Sequence, residues 1–259
     1  MATIIYPSPI FGPIHSRRLG VSLGVNLQPG DGKVCTFDCI YCECGFNADH
    51  RPHSPRPTRE RVAEALEETL KRMKAEGGHL DVITFAGNGE PTGHPQFAEI
   101  IADTIGLRDK YFPTAKVSVL SNSTFAHRPS VHDALMKVDN NILKLDTVAP
   151  DYIRMVDRPV SPSYDVEKIV GTLASFGGHV IVQTMFMKGS ICGRDVDNTS
   201  DRFVEPWLKA LRQINPQEVM IYTIDRETPD HDLAKATHDE LNAIRDRVAA
   251  MGIECAASY

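Results

Sequence analysis

Six cysteines occur in the 259 residues, and four of them, Cys35, Cys39, Cys42 and Cys44, fall within ten positions. Disulfide frameworks belong to small exported domains, so this crowding in a large chain points to metal chemistry. Cys35-Thr36-Phe37-Asp38-Cys39-Ile40-Tyr41-Cys42 has three and then two intervening residues, which places three thiolates on one loop. A [4Fe–4S] cluster with four cysteine ligands is coordinatively complete and suits electron transfer, whereas three leave one iron open to a small chelating molecule. The competing reading is zinc, for which His50 or His53 could supply nitrogen ligands. Cys44 could also complete a four-cysteine site. Only one residue separates it from Cys42, however, and two neighbours that close reach a single centre awkwardly, so Cys42 is favoured. Cys44, Cys192 and Cys255 are candidates for an auxiliary cluster, although their scatter makes buried free thiols the default for Cys192 and Cys255.

Other polar groups fall just after short apolar runs. Gly87-Asn88-Gly89-Glu90-Pro91-Thr92 joins glycines, which let backbone approach a ligand closely, to a carboxylate acceptor. The bland alternative is a glycine turn with a helix cap. Ser121-Asn122-Ser123-Thr124 follows another run, and in Lys144-Leu145-Asp146 the period of two points Lys144 and Asp146 to one face. A structural pair of Lys144 with a carboxylate is the equal alternative there. Gln183, Thr184, Tyr222, Thr223, Asp225 and Arg226 are candidates to face substrate or a nucleobase, and ordinary strand-end polarity is the simpler account of each one taken singly. His15, Arg17 and Arg18 could clamp a phosphate or carboxylate, or form a surface basic cluster.

The elements that must position these groups alternate. Residues 19–27, 80–86, 116–120, 141–145, 179–186 and 219–224 have the length and composition of strands. Helical periodicity covers 62–73 behind an N-cap at Thr58, 97–105, 131–138, 165–176, 202–214 and 238–251, the last opened by Thr237 with Glu240 three residues on. Six β/α units predict an α/β fold of TIM type, a partial (β/α)6 barrel with a parallel sheet and outer helices, read as one domain over 1–259. Ligands then belong beyond the carboxyl ends of the strands, where the candidate groups fall. Residues 188–199 read as a polar loop over the barrel mouth.

CTFDCIYC resembles the CxxxCxxC signature of the radical S-adenosylmethionine (radical SAM) superfamily, including the aromatic residue before the third cysteine. GNGEPT is similar to that superfamily's glycine-glycine-glutamate motif. The resemblance implies a [4Fe–4S] cluster on Cys35, Cys39 and Cys42. The amino and carboxylate groups of S-adenosyl-L-methionine would bind the open iron, and one electron would break a sulfur–carbon bond to release a 5′-deoxyadenosyl radical that abstracts hydrogen from substrate. It also implies cofactor contacts from Tyr41, Gly87, Asn88, Gly89, Glu90, Ser121, Asn122, Asp146 and Gln183. Substrate contacts would come from His15, Arg17, Arg18, Lys144, Tyr222, Asp225 and Arg226, and an electron donor such as flavodoxin or ferredoxin is expected. HSRRLG at 15–20 and TIDR at 223–226 narrow the resemblance to Fe–S oxidoreductases grouped with wyosine-forming tRNA enzymes.

A formal charge of −6, with 42% hydrophobic and 24% charged residues, describes a globular chain with a large core. The acidic balance argues against a general binder of nucleic acid or membrane surface. No run approaches a membrane span, and no leader pattern opens the chain, so a cytoplasmic enzyme is expected. Its substrate would be a small molecule, a peptide or RNA. Modification of a tRNA base, activation of a glycyl-radical enzyme, and a non-catalytic Fe–S or zinc module are the alternatives.

Overall fold

The computed structural model describes residues 3–16, 19–230 and 232–259, so Arg17 and Arg18 lie outside the described residues. The chain divides into two compact units, Ile5–Cys35 with Asn47–Asn141, and Met1–Ile4 with Thr36–Phe46 and Ile142–Tyr259.

In the first unit, β1 (Ile10–Ser16) pairs antiparallel with β2 (Gly20–Val25), and β2, β3 (Val82–Phe85) and β4 (Lys116–Ser121) run parallel. All four β3 residues are buried, as expected of a strand covered on both faces. α1 (Arg59–Ala75) begins where the Thr58 hydroxyl accepts the Arg61 N–H at 3.3 Å, a cap worth about 1 kcal/mol. Its spacing of four, four and three buries Val62, Leu66, Leu70 and Met73. α2 (Phe97–Tyr111) and α3 (Pro129–Leu135) follow β3 and β4, and β5 (Asn140–Lys144) opens at the end of this unit.

In the second unit the remainder of β5 pairs parallel with β6 (Ile181–Met185). β7 (Met187–Ile191) and β8 (Arg194–Asp195) form a hairpin, and β9 (Glu218–Tyr222) returns to pair parallel with β6. β10 (Leu233–Lys235) lies antiparallel to β7, and β11 (Glu254–Ser258) parallel to β9. Within this unit the strand order is β5-β6-β9-β11. The helices are α4 (Pro150–Val156), α5 (Val166–Ala174), α6 (Asp201–Ile214) and α7 (His238–Ala249). Thr237 and Glu240 close a reciprocal capping box on α7. Trp207, the single tryptophan, is buried edge-on to Phe186 and donates its indole N–H to Leu145 O at 3.1 Å.

The six expected strands and six expected helices form, with ends shifted by a few residues. β1, β10, β11 and α4 were not expected. Of residues 188–199, expected as a loop, 188–195 fold instead into β7, β8 and their turn, where Cys192 and Gly193 both have positive φ, at 49° and 72°, and 196–199 are irregular. That pair of left-handed residues is the turn geometry that lets two strands reverse within two residues.

Candidate active site

In the first unit the chain leaves β3 into Gly87-Asn88-Gly89-Glu90. Gly87 and Gly89 take φ of 122° and 135°, and a Cβ on Gly89 would stand 1.9 Å from Val34 O. Only glycine lets this loop close on the segment that carries Cys35. The closure is a backbone ladder: Val34 N–H donates to Asn88 O at 2.9 Å and Glu90 N–H to Val34 O at 3.2 Å. The Asn88 side chain is fully buried. It accepts from Tyr6 N at 2.8 Å and donates to Tyr6 O at 2.9 Å and Pro29 O at 2.8 Å. Asn88 therefore fastens main chain, and its amide is already engaged.

Glu90 is buried and surrounded by donors. Its Oε1 accepts from Thr92 N (3.0 Å), Thr92 Oγ1 (2.5 Å) and Ser121 Oγ (2.8 Å), and its Oε2 accepts from Asn122 N (2.7 Å). Burial pushes the carboxyl above its usual range, against the opposing pull of these donors. Glu90 thereby locks the turn after β4 to the turn after β3. Asn122 Oδ1 accepts from Thr124 N at 3.1 Å, which turns the amide so that Nδ2 donates to Cys35 Sγ at 3.6 Å. Asn47 holds the Cys35 main chain, accepting from Cys35 N at 3.0 Å and donating to Cys35 O at 3.3 Å.

In the second unit Cys39, Tyr41 and Cys42 ride on a segment bound to the end of α4. Asp38 N–H donates to Asp157 O at 3.1 Å, and Ile40 N–H to Val156 O at 2.9 Å. Beside it lies a buried charge cluster. Lys144 Nζ is hydrogen-bonded to Tyr41 Oη and Asp146 Oδ2 and paired with Asp157 Oδ1 at 2.9 Å, and Tyr41 Oη also donates to Asp146 Oδ2. Asp146 Oδ1 accepts Met185 N–H at 3.0 Å, joining the end of β5 to that of β6. Burial alone would lower Lys144, but the Asp146 and Asp157 charges outweigh it and hold the ammonium well above its ordinary value. Burial pushes Asp157 up to about 7, despite Lys144, and raises Tyr41 so that it stays a neutral donor.

Several expected contacts are thus committed within the protein. Ser121, Tyr41, Asp146 and Lys144 bond to their neighbours, and for Lys144 the structural pairing is the observed one. Arg226 Nη1 donates to Glu43 Oε2 at 2.7 Å, within the cysteine segment. Asp225 is exposed, 3.9 Å from Lys235, and His15 is exposed on β1. Gln183 and Tyr222 are half-buried on β6 and β9. None of the six cysteines is in a disulfide; Cys44 is buried, Cys192 exposed and Cys35, Cys39, Cys42 and Cys255 lie between. Among the described residues no three His, Cys, Asp or Glu side chains stand gathered as a metal site. The donor chemistry nonetheless suits an iron–sulfur cluster: three cysteines at the right spacing, none of them in a disulfide, one already receiving an amide N–H.

The family model described as the Radical SAM superfamily matches residues 31–202. This chain belongs to the radical SAM superfamily. Radical SAM proteins use a [4Fe–4S] cluster and S-adenosylmethionine. A UPF0026 protein of Helicobacter pylori is 30% identical over 239 residues, covering 91% of this chain and 72% of that one. Among solved structures, a radical SAM methyltransferase from Sphaerobacter thermophilus matches with a TM-score of 0.66 at 16% identity, over 92% of this chain and 66% of that one. TYW1 with a lysine-pyruvate adduct bound matches at TM-score 0.62 and 16% identity, over 88% and 73%. The radical SAM fold, a partial barrel with a mostly parallel sheet and flanking helices, is the one these structures share with this chain.

Sequence reasoning missed Asp157, Asn47 and Thr92. Thr92 lay inside the recognised GNGEPT segment. Asn47 and Asp157 carried no signal, because their roles depend on tertiary contacts. No helix is long and apolar enough to cross a membrane among the described residues.

Proposed function

We propose that this protein is a radical SAM enzyme that cleaves S-adenosylmethionine reductively at a [4Fe–4S] cluster held by Cys35, Cys39 and Cys42. The carrying observation is the set of three cysteines at CxxxCxxC spacing, none of them in a disulfide, one of which lies against the Gly87–Glu90 turn through Val34. When bound, the cluster and cofactor supply one electron and an open iron site for generating a 5′-deoxyadenosyl radical, which takes hydrogen from a substrate.

This chain's residues supply position. Gly87 and Gly89 bring the loop backbone against the Cys35 segment, leaving its outer face for the cofactor's amino and carboxylate groups. Glu90 acts mainly as a clamp on Ser121 and Asn122, with the lone pairs not taken by those donors available to an ammonium group. The Lys144–Asp146–Asp157 cluster fixes Tyr41, and through it the backbone that carries Cys42. Gln183 and Tyr222, half-buried near strand ends, are the proposed contacts for the nucleoside or substrate. A one-electron donor protein of the flavodoxin or ferredoxin class completes the reading.

The test is anaerobic: reconstitute with iron and sulfide, add dithionite and S-adenosylmethionine, and quantify 5′-deoxyadenosine by chromatography, with Cys39→Ala as control. Product that the control abolishes is expected. Tightly bound zinc in place of iron, or a loaded cluster that yields none, would overturn the proposal.

A further inference from the structure

The reading of Cys35 as a cluster ligand leaves open what tunes the electron that the cluster must deliver. The Asn122 amide is 3.6 Å from Cys35 Sγ, and two constraints fix its orientation independently of the sulfur. The Thr124 N–H, 3.1 Å from Asn122 Oδ1, demands an acceptor there, which leaves Nδ2 on the sulfur side. The Asn122 main chain is held in turn by Glu90 Oε2 at 2.7 Å, and Glu90 by Thr92 and Ser121. The donor is therefore pre-set by a buried network rather than by a mobile side chain.

We infer that Asn122 sets the reduction potential of the cluster through an N–H···S hydrogen bond to Cys35, with Glu90 as the positioning residue behind it. A donor to a cluster sulfur stabilises the more electron-rich, reduced state, so it raises the potential. This assignment rests on Cys35 being a ligand. It departs from the expected contact of Asn122 with the cofactor's ribose or carboxylate, since the amide oxygen and one amide hydrogen are both committed inside the protein.

The readout is the midpoint potential of the reconstituted cluster without S-adenosylmethionine, from an electron paramagnetic resonance redox titration. Asn122→Asp keeps the acceptor for Thr124 and replaces the donor, and Asn122→Leu keeps the volume without a charge. Both are expected to lower the potential, by about 59 mV for a tenfold fall in the reduced-to-oxidised ratio at fixed solution potential. Glu90→Gln, which unsettles the clamp, is expected to shift it in the same direction by less. Full iron content with an unchanged midpoint in Asn122→Leu would overturn the inference alone. A Cys35→Ala protein that loads a wild-type cluster would instead overturn the ligand assignment beneath it. In case neither Asn122 variant folds, wild-type protein labelled with ¹⁵N-asparagine carries the test: a ¹⁵N coupling to the reduced cluster is expected, and its absence would refute the hydrogen bond.

Discussion

Replacing Lys144 with methionine removes the one cation from a cluster of two buried carboxylates. The side chains of Lys144, Asp146 and Asp157 are 14%, 1% and 4% exposed, so water cannot take over the role of the ammonium. Breaking a buried pair by deleting one partner costs about 3–5 kcal/mol, because the charge left behind stays desolvated. At roughly 2–4 °C per kcal/mol for a chain of this size, the melting temperature of Lys144→Met falls by about 6–20 °C. Urea unfolding at pH 8, followed by circular dichroism, measures the loss. Adding Asp157→Asn removes one of the two orphaned charges and restores part of it, since Asp146 keeps the Tyr41 hydroxyl and the Met185 N–H as donors. The deficit also shrinks on acidification. Asp157 has a folded pKa raised to about 7, above its unfolded value, so protonation favours the folded state and the favourable effect fades as pH rises through 7. Without Lys144 that pKa rises further, so the variant recovers relative to wild type between pH 8 and pH 6. A loss under about 1 kcal/mol, the range of an exposed pair, or no rescue by the second substitution, would refute the reasoning.

Gly89→Ala forces a methyl to within 1.9 Å of Val34 O at a φ of 135°, so the loop must move. Backbone strain of this kind costs about 1–3 kcal/mol, and urea unfolding should show at least that loss, together with lower iron retention after reconstitution. His94 is buried, with Nε2 on Pro57 O at 2.9 Å and Nδ1 accepting from Gln96 N at 3.1 Å, an arrangement that a neutral ring satisfies. Burial lowers its pKa below 6.5, so its contribution is complete above the unfolded value and is lost as pH falls from there through the folded pKa. Melting temperatures of wild type and His94→Gln should therefore converge as pH drops from 7.5 to the acid side of that window, and parallel curves would exclude this role.

Local signals read from the sequence survived where they were physically self-contained. Thr58 and the Thr237–Glu240 pair announced helix starts, since a cap needs only residues within one turn. β1 escaped because Pro13 and a shift in register between Phe11 and Ile14 break its alternation. The β7–β8 turn uses Cys192 where Asn or Asp would have signalled a hairpin. In the site, alternation correctly put Lys144 and Asp146 on one face. Their third member, Asp157, sits beyond α4, beside Arg158 with its left-handed φ of 49°, and no spacing rule reaches that far. The same applies to Glu90. Its sequence marks it as an acceptor, while the identity of its donors, Ser121 and Asn122, is set by the parallel pairing of β3 with β4.

The buried Trp207 makes the protein its own optical reporter. Its indole hydrogen bond ends on Leu145, the residue between Lys144 and Asp146. Emission excited at the red edge of protein absorbance therefore comes from one spot beside the β5 carboxyl end, with a blue-shifted maximum while that spot is dry. Circular dichroism averages over helices of both units. Superimposable melting curves by the two signals would describe a single cooperative transition. Separated curves would date the loss of the Lys144 cluster relative to the rest of the chain, with no label attached.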